Sequence, residues 1–173
     1  LLPMGNLRES SIGYKRANVI IITKCPVDLN SKQINIFRNS FQLKKNQSLF
    51  FTTIEYNDNL LGKETIEIEK LKQSKVLLVT GIANTLSILD FMTNKNIDFE
   101  HLSFSDHHNY SLLDIETIEN KYSDRIVLTT EKDYKKIKDL NLKNQLYYLE
   151  IKTKFLNNGE ESFNKIIKET LIS

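Results

Sequence analysis

The chain has 173 residues, of which 40% are hydrophobic and 27% are charged. This apolar share excludes a disordered chain and is enough for one domain, or for one lobe and part of a neighbour. With 24 Lys and Arg against 22 Asp and Glu, the net charge of +2 does not indicate a nucleic-acid partner. The single cysteine, Cys25, excludes an internal disulfide, so a cytosolic location is expected. No apolar run approaches the roughly 18 residues of a spanning helix, and any membrane contact is expected to be peripheral.

Residues 1–45 predict a strand followed by a helix. Residues 1–9 carry neither an initiator Met nor a signal-peptide pattern, so we expect the sequence to be cut from a longer protein. Residues 18–23 form an apolar, β-branched run that is typical of a strand buried on both faces. Ile34 and Phe37 lie at helical spacing and predict a helix over residues 30–39.

A two-stranded ribbon is predicted next. Residues 48–56 and 65–68 are rich in Phe, Thr and Ile, which favour strands. Between them, residues 57–62 contain Asn, Asp and a glycine, a composition that suits a turn. The three segments together favour a β-ribbon between two lobes.

From Lys75 onward, strands and helices alternate. Strands are predicted over residues 76–80, 99–104, 126–130 and 146–151, and helices over residues 86–94 and 112–121 and from Glu131. Alternation of this kind favours an α/β fold with a mainly parallel sheet and helices on both faces. The apolar side chains of residues 160–171 follow a helical stripe and predict an amphipathic helix.

Polar residues follow three of the predicted strands, at the edge where open parallel sheets bind ligands. The first segment, residues 81–84, contains Gly81 and Asn84. A glycine after a strand ordinarily forms a tight turn, and we favour this structural interpretation over a ligand-binding role. In the third, Thr130 and Asp133 resemble a capping box. The start of that helix would also attract phosphate, with Lys132 adding positive charge, and the two interpretations are compatible.

The second segment contains Asp106-His107-His108. A histidine that a carboxylate orients can take a proton from a substrate hydroxyl at neutral pH. Adjacent residues in an extended loop point in different directions, so we expect one histidine to face a site. Asp106 capping a turn, with both histidines on the surface, is the structural alternative. We favour the catalytic interpretation, because His and Asp pairs of this kind concentrate in clefts; His101, within a strand, is interpreted as structural.

The order and spacing of five segments resemble the tetraacyldisaccharide 4'-kinases, the lipid A 4'-kinases. The segments are residues 2–9, 19–24, 81–84, 104–110 and 129–133. The departures of the chain from the family pattern are modest and fall at Met4, Asn6, Ser10, Thr85 and Tyr134. It contains no G-x-x-x-x-G-K-[ST] motif and only five glycines, so we do not expect this chain to hold a nucleotide in a P-loop.

The resemblance implies transfer of the γ-phosphate of ATP to the 4'-hydroxyl of a tetraacylated glucosamine disaccharide 1-phosphate, with Mg²⁺. It also implies peripheral association with the cytoplasmic face of a Gram-negative inner membrane, mainly through the missing part of the first lobe, and no nucleic-acid partner. The family fold has two α/β/α lobes joined by a β-ribbon, the first of which binds ATP and Mg²⁺. The expected domains are the end of the first lobe, the ribbon, the second lobe and a terminal helix, over residues 1–45, 46–72, 73–155 and 156–173.

The resemblance also implies roles for single residues. By analogy with the family, His107 assists deprotonation of the sugar hydroxyl together with an aspartate of the first lobe, and Asp106 supports it. Four residues are implied to line the site or orient the lobes, namely Arg8, Asn84, Lys132 and Asp133. Thr23 and Lys24 are implied to lie near the nucleotide, and no metal ligand is predicted in this chain.

Two other functions stay open from the residues alone. Asp-His-His also occurs in metal-dependent phosphoesterases, but such a site needs further carboxylate and histidine ligands. Apart from His101, no histidine remains to supply one. The other alternative is a non-catalytic module that binds a sugar lipid and tolerates loss of His107.

Overall fold

The computed structural model describes residues 11–172. Arg8 and the rest of the segment 2–9 therefore lie outside the described residues. The described chain divides into two compact units, the first formed by residues 11–55 and 153–172 and the second by Tyr56–Lys152. The domain boundaries expected at residues 45, 72 and 155 stay a prediction.

The described elements follow the predicted order. The strands are β1 Val19–Ile22, β2 Ser48–Gly62, β3 Thr65–Glu67, β4 Val76–Thr80, β5 Phe99–Ser103, β6 Ile126–Thr130 and β7 Leu146–Phe155. The α-helices are α1 Ser31–Ser40, α2 Leu86–Asn94, α3 Leu112–Lys121, α4 Glu131–Ile137 and α5 Gly159–Ile172. Short 3-10 helices cover Ser11–Arg16, Ile68–Gln73 and Lys138–Leu140. Strand β7 runs beyond its predicted end at residue 151.

The second unit is a three-layer α/β/α arrangement. Four of its strands lie in the order β7, β6, β4, β5, and neighbours among these four are parallel. Along β4, Val76 and Leu78 face one core with Ile88 and Met92 of α2. Leu77 and Val79 face the other core, which contains Ile115 and Ile118 of α3 and Ile137 of α4. The predicted α/β fold with a mainly parallel sheet is confirmed.

The turn predicted over residues 57–62 is wrong, because these residues are part of β2. Asn59, Leu60 and Leu61 pair with residues 67, 66 and 65 of the antiparallel β3, and the bend follows Gly62. Leu60 is fully buried and packs in a core that includes Ile66. Burying a leucine is worth about 1.5–3 kcal/mol, which outweighs the weak strand preference of the neighbouring Asn and Asp.

The first unit has its own apolar core. Strand β1 runs parallel to the first half of β2, from the pair Val19 and Ser48 to the pair Ile22 and Phe51. A capping box at Asn30 and Gln33 starts α1, with both hydrogen bonds at 3.0 Å. Ile34 of α1 packs against this core.

The terminal helix α5 is amphipathic, as predicted. The ring of Phe163 lies 5.5 Å from that of Phe50 and 4.9 Å from that of Phe155, between centroids. Other apolar side chains of α5 are exposed, notably Leu171. Within residues 11–172, none of the helices combines the length and apolar character needed to cross a membrane.

Candidate functional site

The loop that follows β5 is tied to the carboxyl end of β4. The Phe104 amide donates a hydrogen bond to the Thr80 carbonyl at 2.7 Å, and the His107 amide donates to the Gly81 carbonyl at 3.1 Å. Because β4 and β5 are parallel neighbours, their carboxyl ends meet at one edge of the sheet. The sequence segments at Gly81 and Asp106 therefore come together, as the predicted sheet requires.

His107 is the most exposed member of this loop that can accept a proton. Its side chain is 78% exposed, and its backbone has a φ of 62°, in the left-handed region. Among the described residues other than glycine, six have positive φ; four are Asn, and the other two are His107 and Lys24. Asn and His adopt this conformation more often than most residues, whereas Lys does not. Backbone strain of this kind concentrates at functional sites. Both residues are ones that the sequence singles out.

Asp106 connects His107 to Lys132. Its Oδ1 accepts hydrogen bonds from the His107 amide at 3.0 Å and from Lys132 Nζ at 3.3 Å, and its Oδ2 lies 3.6 Å from His107 Nε2. Desolvation raises the pKa of Asp106, but the Lys132 hydrogen bond and the charges of His107 and Lys132 outweigh it, and the pKa falls below its ordinary value. Asp106 is therefore a carboxylate at neutral pH, placed to stabilise a positive charge on His107.

His108 has a different environment from its neighbour. Its ring stacks on Phe104 with 4.4 Å between centroids, and Nε2 lies 3.1 Å from Asp114 Oδ2. Its side chain is only 26% exposed, and its carbonyl accepts a hydrogen bond from Lys136 Nζ at 2.5 Å. His108 thus anchors the loop, while His107 extends from it.

Asp133 lies beneath the loop with no exposed surface. Its Oδ2 accepts hydrogen bonds from the Gly81 amide at 2.9 Å and from Thr130 Oγ1 at 2.8 Å. Thr130 Oγ1 also accepts from the Asp133 amide at 3.2 Å, which is one half of the predicted capping box. The carboxylate reaches Gly81 in place of the Thr130 amide, so it links α4 to the end of β4.

Tyr110 is a component of this site that sequence reasoning missed. Its side chain is buried, and neither its hydroxyl oxygen nor Asp133 Oδ1 has a hydrogen-bond partner within the described residues. Each of these atoms lies 3.1 Å from the position that a Cβ on Gly81 would occupy. The signal in the sequence was a tyrosine close after the Asp-His-His triplet. The hydroxyl of a buried tyrosine ordinarily needs a polar partner, so a tyrosine at this place was a candidate for contact with the polar residues of the site.

The other predicted site residues have simpler environments. Asn84 is exposed, and its Oδ1 accepts a hydrogen bond from the Leu86 amide at 3.0 Å, at the start of α2. Thr23 and Lys24 are exposed after β1 and belong to the first unit. The His101 ring lies 2.8 Å from Thr80 Oγ1, and burial lowers its pKa. This placement agrees with a structural role for His101.

Potential metal ligands are not clustered in the part of the chain that the structure describes. Within residues 11–172, no group of three or more His, Cys, Asp or Glu side chains is arranged to hold a metal ion. Asp106, His107 and Lys132 form an exposed polar group at the carboxyl edge of the sheet in the second unit.

Comparison with known proteins shows which family the chain belongs to. The family described as Tetraacyldisaccharide-1-P 4'-kinase matches residues 1–172. A tetraacyldisaccharide 4'-kinase of Flavobacterium johnsoniae is 42% identical over 175 residues, covering 99% of this chain and 51% of the relative. One from Phocaeicola vulgatus is 32% identical, covering 98% of this chain and 50% of the relative.

A solved structure has a similar fold. The crystal structure of LpxK from Aquifex aeolicus in complex with ATP superposes with a TM-score of 0.61 and 24% identity, covering 98% of this chain and 47% of that chain. The chain thus spans about half the length of the relatives that it matches. With the family match extending over residues 1–172, the chain belongs to the tetraacyldisaccharide-1-P 4'-kinase family.

Proposed function

We propose that this chain is the carboxy-terminal half of a kinase of lipid A biosynthesis. The whole enzyme would transfer the γ-phosphate of ATP to the 4'-hydroxyl of a tetraacylated glucosamine disaccharide 1-phosphate. The observation that carries the proposal is the exposed His107 beside the Asp106 carboxylate, at the sheet edge of a chain of this family. On this proposal, residues 1–45 end the nucleotide-binding lobe and the ribbon leads to the lobe that carries His107.

His107 acts as the base. Its ring accepts the proton of the 4'-hydroxyl while the sugar oxygen forms a bond to the γ-phosphorus. The bond from that phosphorus to the bridging oxygen breaks, and ADP leaves with the electron pair. The Asp106 carboxylate stabilises the imidazolium that results, and Lys132 holds Asp106 in place. An aspartate of the other lobe would complete the pair by analogy with the family.

ATP and Mg²⁺ are assigned mainly to the other half of the enzyme. Mg²⁺ supplies neutralisation of the phosphate charge when it is bound, and we assign it no ligand within residues 11–172. Thr23 and Lys24 would lie near the nucleotide, and the strained backbone of Lys24, with a φ of 57°, supports a specific role there. Arg8, Asn84 and Asp133 would line or orient the site.

The isolated 173-residue chain is expected to transfer no phosphate and to bind ATP weakly or not at all, because it has no P-loop. Radiolabelled phosphate transfer to the lipid disaccharide, together with titration calorimetry against ATP, tests this. The full-length protein serves as the positive control, and circular dichroism confirms that the isolated chain is folded. Micromolar affinity of the isolated chain for ATP would contradict the assignment of the nucleotide site.

Exposed leucines support a lipid substrate and contact with the inner-membrane surface. Leu86 lies at the start of α2, and Leu112 and Leu113 lie at the start of α3, all three exposed. Both helices begin just after the carboxyl ends of β4 and β5, at the edge that carries His107. Exposed apolar side chains near a phosphate-transfer site suit a substrate with acyl chains.

Replacing both Leu112 and Leu113 with glutamate is expected to raise the KM for the lipid in anionic vesicles about tenfold or more. Each leucine that the bound lipid buries would stabilise the complex by about 1.5–3 kcal/mol, and the variant loses this contribution. Turnover at saturating lipid is expected to stay unchanged. Steady-state kinetics of the full-length protein with vesicle-bound substrate measures both constants. Ile36→Glu, at an exposed position of α1 in the first unit, is the matched control and should leave the KM unaltered. An unchanged KM in the double variant would remove these leucines from the lipid site.

A further inference from the structure

We propose that Asp133 and Tyr110 are positioning residues that hold His107 in its active conformation through the peptide groups of Gly81. This inference rests on the proposed role of His107 as the base. It gives the buried carboxylate a function that is separate from direct contact with a ligand.

Asp133 is hydrogen-bonded to the backbone of Gly81. One carboxylate oxygen of Asp133 accepts from the Gly81 amide at 2.9 Å and from the Thr130 hydroxyl at 2.8 Å. Asp133 is 0% exposed, so water does not compete for these bonds. A buried carboxylate is tolerated only when it is hydrogen-bonded, and such bonds are strong at low local dielectric. The position of the Gly81 amide is therefore fixed from the start of α4.

Gly81 is in turn hydrogen-bonded to the backbone of His107. The Gly81 carbonyl accepts the hydrogen bond of the His107 amide at 3.1 Å, so Gly81 is held on its amide side by Asp133 and on its carbonyl side by the loop. His107 has a φ of 62°, a conformation that persists only where the surroundings enforce it. Gly81 supplies one of those restraints, and the Asp106 side chain, bonded to the same amide, supplies another.

Tyr110 is the second proposed positioning residue. Its hydroxyl and Asp133 Oδ1 are both buried without a partner among the described residues, and both lie 3.1 Å from the same point beside Gly81. Desolvation, and then the negative charge of Asp133, raise the pKa of Tyr110 far above its ordinary value, so the hydroxyl keeps its proton. On this proposal the proton is directed at Asp133 Oδ1, the buried acceptor beside the same point. The Tyr110 ring also contacts His108 edge-on, with 5.0 Å between centroids. Tyr110 thus restrains both Asp133 and the loop.

A purely structural role for Asp133, as a helix cap, predicts different behaviour. A cap stabilises the fold whether or not His107 is present, whereas a positioning residue affects turnover only through the residue that it positions. Residues that act as a unit are strongly non-additive, and a double-mutant cycle measures this coupling directly.

The test uses the full-length protein with Asp133→Asn and Tyr110→Phe, each alone and combined with His107→Ala. We expect Asp133→Asn to lower kcat about tenfold and Tyr110→Phe about threefold, with KM for ATP and lipid changed less than about twofold. In the His107→Ala background, each is expected to change kcat less than about twofold. Melting curves report folding for every variant.

Asp124→Asn is the matched control, because Asp124 is an exposed aspartate paired with Lys75 before the amino ends of β6 and β4. It should leave kcat unchanged. Wild-type kcat in both Asp133→Asn and Tyr110→Phe would overturn the proposal, as would equal losses with and without His107. If Asp133→Asn does not fold, the effect of Tyr110→Phe on kcat, measured with and without His107, decides whether the proposal stands. Full activity of His107→Ala alone would instead refute the role of His107 as the base.

Discussion

Replacing His107 with alanine in the full-length protein is expected to lower turnover about 10²-fold or more, the usual contribution of a general base. The side chain is 78% exposed, so its removal deletes little packing and should leave the fold intact. Phosphate transfer at saturating ATP and lipid measures turnover, and thermal unfolding by circular dichroism measures stability. A large loss of turnover with an unchanged melting temperature is the expected combination.

Lys143→Ala is a suitable control for that experiment. Lys143 is an exposed residue of the second unit, and its Nζ lies 3.1 Å from Glu119 Oε2 in a surface ion pair. Such pairs contribute little, so this variant should match the wild type in turnover and in melting. Wild-type turnover in His107→Ala would refute catalysis by this residue and would favour a module that only binds the sugar lipid.

Replacing Gly62 with alanine is expected to destabilise the second unit by about 2 kcal/mol, within the range of overpacked sites. A Cβ at this position would lie 2.5 Å from the Leu146 carbonyl oxygen and 2.9 Å from Tyr147 Cδ1. The first of these atoms is backbone in a paired strand, so it cannot rotate away, and β7 or the end of β2 must shift. Chemical denaturation followed by circular dichroism measures the loss in the free energy of unfolding.

Gly159→Ala adds the same methyl group where there is room for it. The nearest atom to its Cβ would be Phe50 Cδ1 at 3.3 Å, which belongs to a side chain, and Gly159 begins α5. Alanine is favoured over glycine in helices by about 1 kcal/mol, which offsets a small adjustment of the ring. We expect a change of less than about 1 kcal/mol. Equal destabilisation by the two substitutions would show that the contact at Gly62 is not the cause.

The sequence predicts the second unit well because its local signals and its tertiary packing agree. Residues 76–79 are apolar without interruption, and all four are fully buried in β4. The prediction for residues 57–62 was wrong because the local signals and the tertiary packing disagree there. Its Asn and Asp residues favour a turn locally, while a single leucine, Leu60, is held in the core by pairing with a strand that comes later in the chain.

The candidate site could be predicted only in part. A histidine and a carboxylate in a loop after a strand are visible in the sequence, and so is the expectation that the two histidines differ. The contact between Asp133 and Gly81 joins residues 52 positions apart, and no local pattern reports it. The capping-box pattern at Thr130 even indicates a different partner for that carboxylate, because local spacing cannot show that the end of β4 lies within reach.

The order of the two units along the chain has a consequence for synthesis. The second unit is one continuous stretch, Tyr56–Lys152, whereas the first unit also needs residues from 153 onward. Domains generally fold as units while the ribosome elongates the chain. The stretch that carries His107 is therefore complete while the first unit still lacks Phe155 and Phe163, whose rings pack on Phe50. The loop that carries His107 can therefore form before Phe155 and Phe163 are available to the first unit.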